Sequence, residues 1–234
     1  MSQPRKTIVI LGAGGKTGLE LVAQARARGH RVHAVEHNTP FDAADGKDVL
    51  HFEHDVMTDD LGDAMEGADA VLSGLGIAAG PDTVFNPPPL YTEGTRRTVE
   101  AMEKAGIKRL IVVSASFTQT LSRGPMWFRG AAAVGLKSIF EQMKQMEWYL
   151  RGKDGLDWTA VRPGWLLEKP LTEDYTVSED VIPDDLIRTR HADLAHFMLT
   201  CLEDGTWIKG TPAIARPEDA SVSSPLAVLK EMTG

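Results

Sequence analysis

Unbroken apolar runs alternate with stretches of helical period along most of the chain. "TIVILG" is nearly all apolar, and "GLELVAQARAR" behind it puts Leu19, Val22, Ala23 and Ala25 on one helical face. Strand-like "RVHAVE" and "VLHFEHD" follow, then a short helix "DDLGDAMEG", the strand "DAVLSGLG", the helix "LYTEGTRRTVEAMEKAG" and the strand "KRLIVVSAS". "IFEQMKQMEWYLRGKDGLDWTAVRPG" reads as a helix running into a buried strand and a sharp turn. Strands buried on both faces read as continuous Val/Ile/Leu runs, and strand-helix-strand alternation implies parallel pairing with right-handed crossovers. The pattern therefore predicts an α/β fold with a doubly wound parallel sheet.

After Gly164 the pattern loosens. "LLEKPLTEDYTVSEDVIPDD" is rich in acids and turn residues, and it precedes a helix "RHADLAHFMLTCLED" and a short strand "GTPAIA". Residues 165–234 are too few for a domain of their own. They are expected to form a small cap over the C-terminal edge of the sheet, where such folds bind ligands, within a single domain spanning 1–234. "GPDTVFNPPPL", Gly80 to Leu90, is expected as a stiff surface loop, because consecutive prolines enter neither a central strand nor a helix interior.

Composition narrows the partners. At 234 residues with 42% hydrophobic and 25% charged residues, the chain is an ordinary globular one. A formal net charge of -8 argues against nucleic acid or an anionic membrane as the main partner, since both need a basic face. No apolar run approaches a membrane span, and "MSQPRKTIVILG" is not patterned as a signal peptide. The lone cysteine, Cys201, fits a reducing compartment, so the chain is read as cytoplasmic, with Cys201 filling the apolar stretch "LAHFMLTCL".

Candidate chemistry begins at "ILGAGGKTGLEL". Gly12, Gly15 and Gly18 stand directly after the first strand and at the start of the first helix. Glycine permits the tight turn and lets the backbone approach a pyrophosphate seated on the free N–H groups of the helix N-terminus. The strand-before, helix-after context is what the pattern requires. Lys16 and Thr17 lack the spacing of a nucleoside-triphosphate loop. Glu36 closes the second strand, where a carboxylate can hold the adenosine ribose and favour NAD; His37 and Lys16 could instead face the extra phosphate of NADP. The sequence leaves NAD and NADP open.

The stretches "GAGGKTG", "HDVMTD", "TEGTRRTVEAMEKAGIKRLIVVSAS", "GLDWTAVRPG" and "RTRHADLAHFML" lie in order over nearly the whole chain. In these the sequence resembles the atypical short-chain dehydrogenase/reductases, Rossmann-like NAD(P)-binding proteins, and within them the biliverdin-IXβ/flavin reductase branch and the NmrA-like proteins. The resemblance implies that Gly12, Gly15, Lys16, Thr17 and Gly18 hold the pyrophosphate. It implies Asp55 and Val56 beside the adenine, and Ser73, Gly74, Leu75 and Gly76 along the cofactor. Ser114 to Ser116 would lie beside the nicotinamide, with Pro163, Gly164 and Trp165 behind it. Catalytic relatives carry a Tyr-x-x-x-Lys helix whose tyrosine protonates the substrate and whose lysine holds the nicotinamide ribose. Tyr149 and Lys153 have that spacing but stand too near the helix end. Phe140 and Lys144 stand at the right distance, so phenylalanine occupies the tyrosine position and Lys144 remains for the ribose.

Other constellations are weaker. His51 and His54 should point to opposite faces of a strand, and His191 and His196 are not at a spacing that shares a helix face, so no metal is expected. Asp193 is read as part of a helix start. Ser73 lacks the nucleophile elbow of an α/β-hydrolase. Phe117, Met126, Trp127 and Phe128 either pack onto the sheet or wall in a flat ligand, with Trp165, Leu166 and Leu167 opposite and Arg123 or Arg129 able to meet an acidic substituent. The expected function is an NAD(P)H-dependent reductase of a flat conjugated small molecule (flavin, quinone or pigment-like), with Ser114, Ser116 and Lys144 at the reacting end. The alternatives are a non-catalytic redox sensor of the NmrA-like kind, and an isomerase, dehydratase or epimerase that uses bound cofactor transiently.

Overall fold

A computed structural model describes residues 4–37, 47–77, 86–120 and 136–223. Strands β1 (Thr7–Leu11), β2 (Arg31–Glu36), β3 (Val49–Glu53), β4 (Ala70–Ser73), β5 (Arg109–Val113) and β6 (Asp157–Pro163) pair in parallel in the order β3-β2-β1-β4-β5-β6. The order reverses at β1, between β2 and β4, so the crevice beyond the C-terminal ends of these three strands is the topological switch point where doubly wound sheets bind ligands. The helices between them are α1 (Lys16–Ala27), the single turn α2 (Gly62–Met65), α3 (Thr95–Ala105) after a wide π-type turn at Leu90–Gly94, the single turn α4 (Phe117–Thr120) and α5 (Lys137–Arg151).

Alternate residues of the strands serve two cores. Val9, Leu11, Val71 and Val112 meet Met102 of α3 and Met146 and Leu150 of α5 on one face. Ile8, Ile10, Leu72 and Ile111 meet Leu21 of α1 and Leu194 of α6 (His191–Glu203) on the other. This is the period-two alternation of a strand buried on both sides. The buried face of α1 is Gly18, Leu21, Val22 and Ala25, whereas Leu19 and Ala23, expected on that face, are exposed. The expectation took Leu19 as the start of the apolar face. The close seating of Gly18 on the glycine loop rotates α1 so that Leu21 faces inward.

The segment after Gly164 does more than cap the sheet. β10 (Pro212–Ala215) pairs in parallel with β6 and carries the antiparallel edge strand β8 (Thr176–Glu179), extending the main sheet to eight strands. α6 belongs to the helical layer beside α1. Among the described residues only β7 (Trp165–Leu167) and β9 (Arg188–Arg190) form a separate two-stranded ladder, beginning where β6 leaves the sheet. A last helical turn, α7, spans Ala220–Ser223. Within the described residues no helix is long and apolar enough to cross a membrane.

Candidate dinucleotide site

The glycine loop is held at the switch point by its backbone. The N–H groups of Gly12 and Ala13 both donate to the Val35 carbonyl, at 3.0 and 3.1 Å, tying the loop to the end of β2. Gly12 has φ of +71°, a left-handed conformation that a side chain would strain. A Cβ on Gly18 would stand 1.9 Å from the Gly12 carbonyl oxygen, so α1 starts against the loop at a distance only glycine permits. Gly74, just past β4, also packs against the start of α1, though less tightly: its Cβ would lie 3.2 Å from the Gly18 nitrogen.

Gly15 is the N-cap of α1 and offers no side-chain cap. The N–H groups of Lys16, Thr17 and Gly18, in the first helical turn, have no intrahelical acceptor and point out of the helix end. No acidic residue occupies that turn, so the positive end of the helix dipole favours an anion there. The cradle that a Cβ would fill and the uncapped helix end both fit a diphosphate.

Around this cradle, Glu36 turns its carboxylate onto the loop. Its Oε2 accepts the Gly14 N–H at 3.0 Å, and its Oε1 accepts the His37 N–H at 2.9 Å and lies 2.9 Å from His37 Nδ1. Asp55 and Val56 form a tight turn beyond β3: Asp55 Oδ1 accepts the Met57 N–H at 2.8 Å, and the Val56 carbonyl accepts from Arg97 at 3.1 Å. Ser73 is buried at the end of β4, Gly74 and Leu75 are half-buried and Gly76 is exposed. The structure thus gathers the loop glycines, Glu36, Ser73 and Gly74 at one edge of the sheet.

The serines expected at the reacting end follow β5 and are bonded within the fold. Ser114 is buried, and its hydroxyl donates to Glu147 Oε1 at 2.7 Å rather than standing free. The Ser116 hydroxyl donates to the Arg162 carbonyl at 3.1 Å and accepts the Ile182 N–H at 3.3 Å. Lys144 is exposed on α5, with its Nζ 3.9 Å from Glu141. Phe140 and Phe117 are buried with ring centroids 6.2 Å apart, part of the core rather than an open wall. Pro163 accepts the Ser116 N–H at 3.0 Å, and a Cβ on Gly164 would meet the Ile187 carbonyl at 2.7 Å, so the turn into half-buried Trp165 requires glycine. Met126, Trp127, Phe128, Arg123 and Arg129 lie outside the described residues.

Tyr149 and Lys153 stand where α5 leads into the start of β6, at the opposite edge of the sheet from the glycine loop. Lys153 Nζ lies 5.2 Å from the Tyr149 ring centroid and bonds Glu103 at 2.9 Å. His191 and His196 part company, one beside Thr17 at 2.8 Å and the other beside the Tyr175 hydroxyl at 2.7 Å. His54 lies past the end of β3, 2.7 Å from Asp63. Asp193, in the first turn of α6, is fully buried and accepts the Thr172 and Glu173 N–H groups at 2.8 and 3.1 Å, pinning the preceding loop. Burial pushes the Cys201 thiol up to about 11, which leaves it protonated at neutral pH and a poor nucleophile.

Two constellations here were not anticipated. Glu147 and Arg162 form a buried bidentate pair, Nε to Oε1 at 2.8 Å and Nη2 to Oε2 at 2.6 Å, with Arg162 also donating to the Asp180 carbonyl at 2.9 Å. The signal was present, since Arg162 interrupts the apolar strand "TAVRP" and Glu147 lies on the buried face of α5 beside Met143 and Met146. The second joins the glycine loop to the later chain. Lys16 Nζ pairs with Glu168 at 2.9 Å, and Thr17 lies against His191. The Lys16 ammonium holds the Glu168 carboxyl below its ordinary value, while burial first and Lys16 second push His191 down to about 4.

Comparison with known proteins agrees with this geometry. A family described as NAD(P)H-binding matches residues 12–205. An uncharacterized chloroplastic protein of Arabidopsis thaliana is 28% identical over 222 residues, covering 91% of this chain and 78% of its own. A Bacillus subtilis protein described as an uncharacterized sugar epimerase is 26% identical over 199 residues, covering 80% of this chain and 87% of its own. The fold is shared with a short-chain dehydrogenase/reductase of Veillonella parvula solved in complex with NADP, at a TM-score of 0.73 and 18% identity over 92% of this chain and 96% of that one. It is shared also with a candidate NADH-flavin reductase of Streptococcus pneumoniae, at a TM-score of 0.72 and 22% identity over 91% and 100%. The match over residues 12–205, most of the chain, makes this protein a member of that NAD(P)H-binding family.

Proposed function

We propose that the protein is an NAD(P)H-dependent oxidoreductase that passes hydride to a flat, conjugated acceptor such as a flavin, quinone or pigment-like molecule, without a tyrosine general acid. The observation that carries this reading is an intact glycine cradle paired with phenylalanine at the position of the acid. A reduced nicotinamide, when bound, supplies the hydride. The chain's own part is to seat the diphosphate on the start of α1, hold the adenosine end near Glu36, Asp55 and Val56, and align the rings near the ends of β4 and β5. An electron-poor acceptor spreads the added charge over its ring system and can take its proton from solvent, so Phe140 does not block the reaction.

Oxidation of NADH and of NADPH by the purified protein, with FMN, FAD, simple quinones and a linear tetrapyrrole as acceptors, tests this. Turnover with at least one cofactor and acceptor is expected. Silence across the panel, with binding still seen as quenched tryptophan fluorescence, would sink the reductase and leave the redox sensor. That second reading draws on the buried Ser114 and Ser116 hydroxyls, both engaged within the fold. An epimerase, the description carried by the Bacillus relative, would turn over with no net change in cofactor.

Glu36 bears on cofactor choice. Its carboxylate, folded over the loop, is a candidate acceptor for the adenosine ribose hydroxyls and repels a phosphate placed there. Glu36→Ala should weaken NADH binding by about tenfold relative to NADPH, the scale of one hydrogen bond to a charged group. Titration of both cofactors checks it, and an unmoved ratio would rule Glu36 out as the ribose carboxylate.

A further inference from the structure

Thr17 is the second residue of α1 and 6% exposed, so it belongs to the uncapped first turn where the diphosphate would lie. Its side-chain neighbour comes from far along the chain: Oγ1 is 2.8 Å from Nδ1 of His191, the first residue of α6. A hydroxyl has one proton to give and lone pairs to accept with, whereas phosphate oxygens only accept. Thr17 therefore serves a phosphate only if its proton is turned outward, and that requires its partner to donate to Oγ1. A neutral imidazole carries one donor and one acceptor nitrogen, so the choice of tautomer decides which way the Thr17 proton points. Largely buried, His191 is neutral at neutral pH.

We propose that His191 is a cofactor-positioning residue: donating from Nδ1–H to Thr17 Oγ1, it fixes the Thr17 hydroxyl with its proton aimed at the dinucleotide's pyrophosphate. The inference rests on dinucleotide binding at the glycine loop and goes beyond it, because it assigns a role to a residue of the C-terminal segment. The Lys16–Glu168 ion pair makes the same connection one residue earlier, from the loop to the residue that follows β7. The first two residues of α1 are thus held by the chain beyond β6, so the pyrophosphate site is completed by tertiary contact and not by the glycine loop alone.

The test is equilibrium binding of NADH, NADPH and ADP-ribose to the purified chain by calorimetry, beside thermal melts that check folding. His191→Leu, which fills the space and removes the donor, should weaken all three ligands by about tenfold, the scale of one charge-assisted hydrogen bond. His191→Asn, whose amide can place a donor near Nδ1, should restore binding to within about threefold. Thr17→Val should weaken binding to a similar degree, and adding His191→Leu to it should cost nothing further, because the two residues act through one hydroxyl. Unchanged or tighter binding by His191→Leu, or losses that add in the double variant, would overturn the proposal: the first would mean that Thr17 donates to His191 and is held away from the phosphate. If the unaltered protein bound none of the three ligands, the dinucleotide reading would fall and this role with it, an outcome distinct from a silent His191 variant.

Discussion

Replacing Arg162 by methionine should lower the free energy of unfolding by about 3–5 kcal/mol, the usual penalty for leaving a buried charge without its partner. Both members of the Glu147–Arg162 pair are closed off from solvent, at 1% and 0% exposure. In the variant the Glu147 carboxylate would retain the Ser114 hydroxyl, and Arg151, whose Nη2 stands 3.8 Å from Oε2, as its only nearby cation among the described residues. Arg151 is half exposed, so its compensation is weakened by solvent and the loss should remain large. The Asp180 carbonyl would lose a donor as well. Since whole domains are stable by about 5–15 kcal/mol, such a loss brings the fold close to unfolding at ordinary temperature. The double variant Glu147→Met/Arg162→Met should recover much of the loss, because removing both charges removes the unpaired one. Urea titrations of the parent, the single and the double variant measure this. A single variant within about 1 kcal/mol of the parent would mean that water or Arg151 already satisfies Glu147.

Gly18→Ala should reduce dinucleotide affinity by about a hundredfold or more, the equivalent of some 3 kcal/mol. The new methyl would stand 1.9 Å from the Gly12 carbonyl oxygen and 2.8 Å from Ala13 Cα, all backbone, with no flexible side chain able to give way. Relief requires α1 to lift from the loop, and the N–H groups of Lys16, Thr17 and Gly18 then leave the positions where they meet a diphosphate. Gly15→Ala is the control. A Cβ there would meet the Gly12 carbonyl oxygen at 3.4 Å, an ordinary contact, and Gly15 already has extended backbone angles of -73° and 162°. It should cost at most a few-fold. Titration of NADH and NADPH against both variants, with melting curves alongside, separates the cases. Equal effects at the two glycines would show that chain flexibility rather than close approach is what the loop requires.

Local patterns in the sequence settled a good deal. The continuous apolar runs of β1, β4 and β5 foretold strands buried on both faces, and their alternation with helices foretold the parallel order. The strand-glycines-helix context of Gly12 to Gly18 foretold the tight loop and the uncapped helix start, because the free N–H groups and the need for glycine are properties of that short segment alone. The place of Tyr149 near the start of β6 was likewise visible, since its distance along the chain from the next strand sets which edge of the sheet it reaches. What the sequence left undetermined was which distant side chains meet. Ser114, expected beside the nicotinamide, meets Glu147 33 positions away, and Thr17 meets His191 across 174. The strand "GTPAIA" was legible as a strand, but its place between β6 and β8 was not. Periodicity reports how a segment presents its own faces, and that is fixed by backbone geometry within a few residues. The partner of a buried polar group is chosen by packing across the whole fold, so Glu147, Arg162 and His191 acquired their roles only in the tertiary structure.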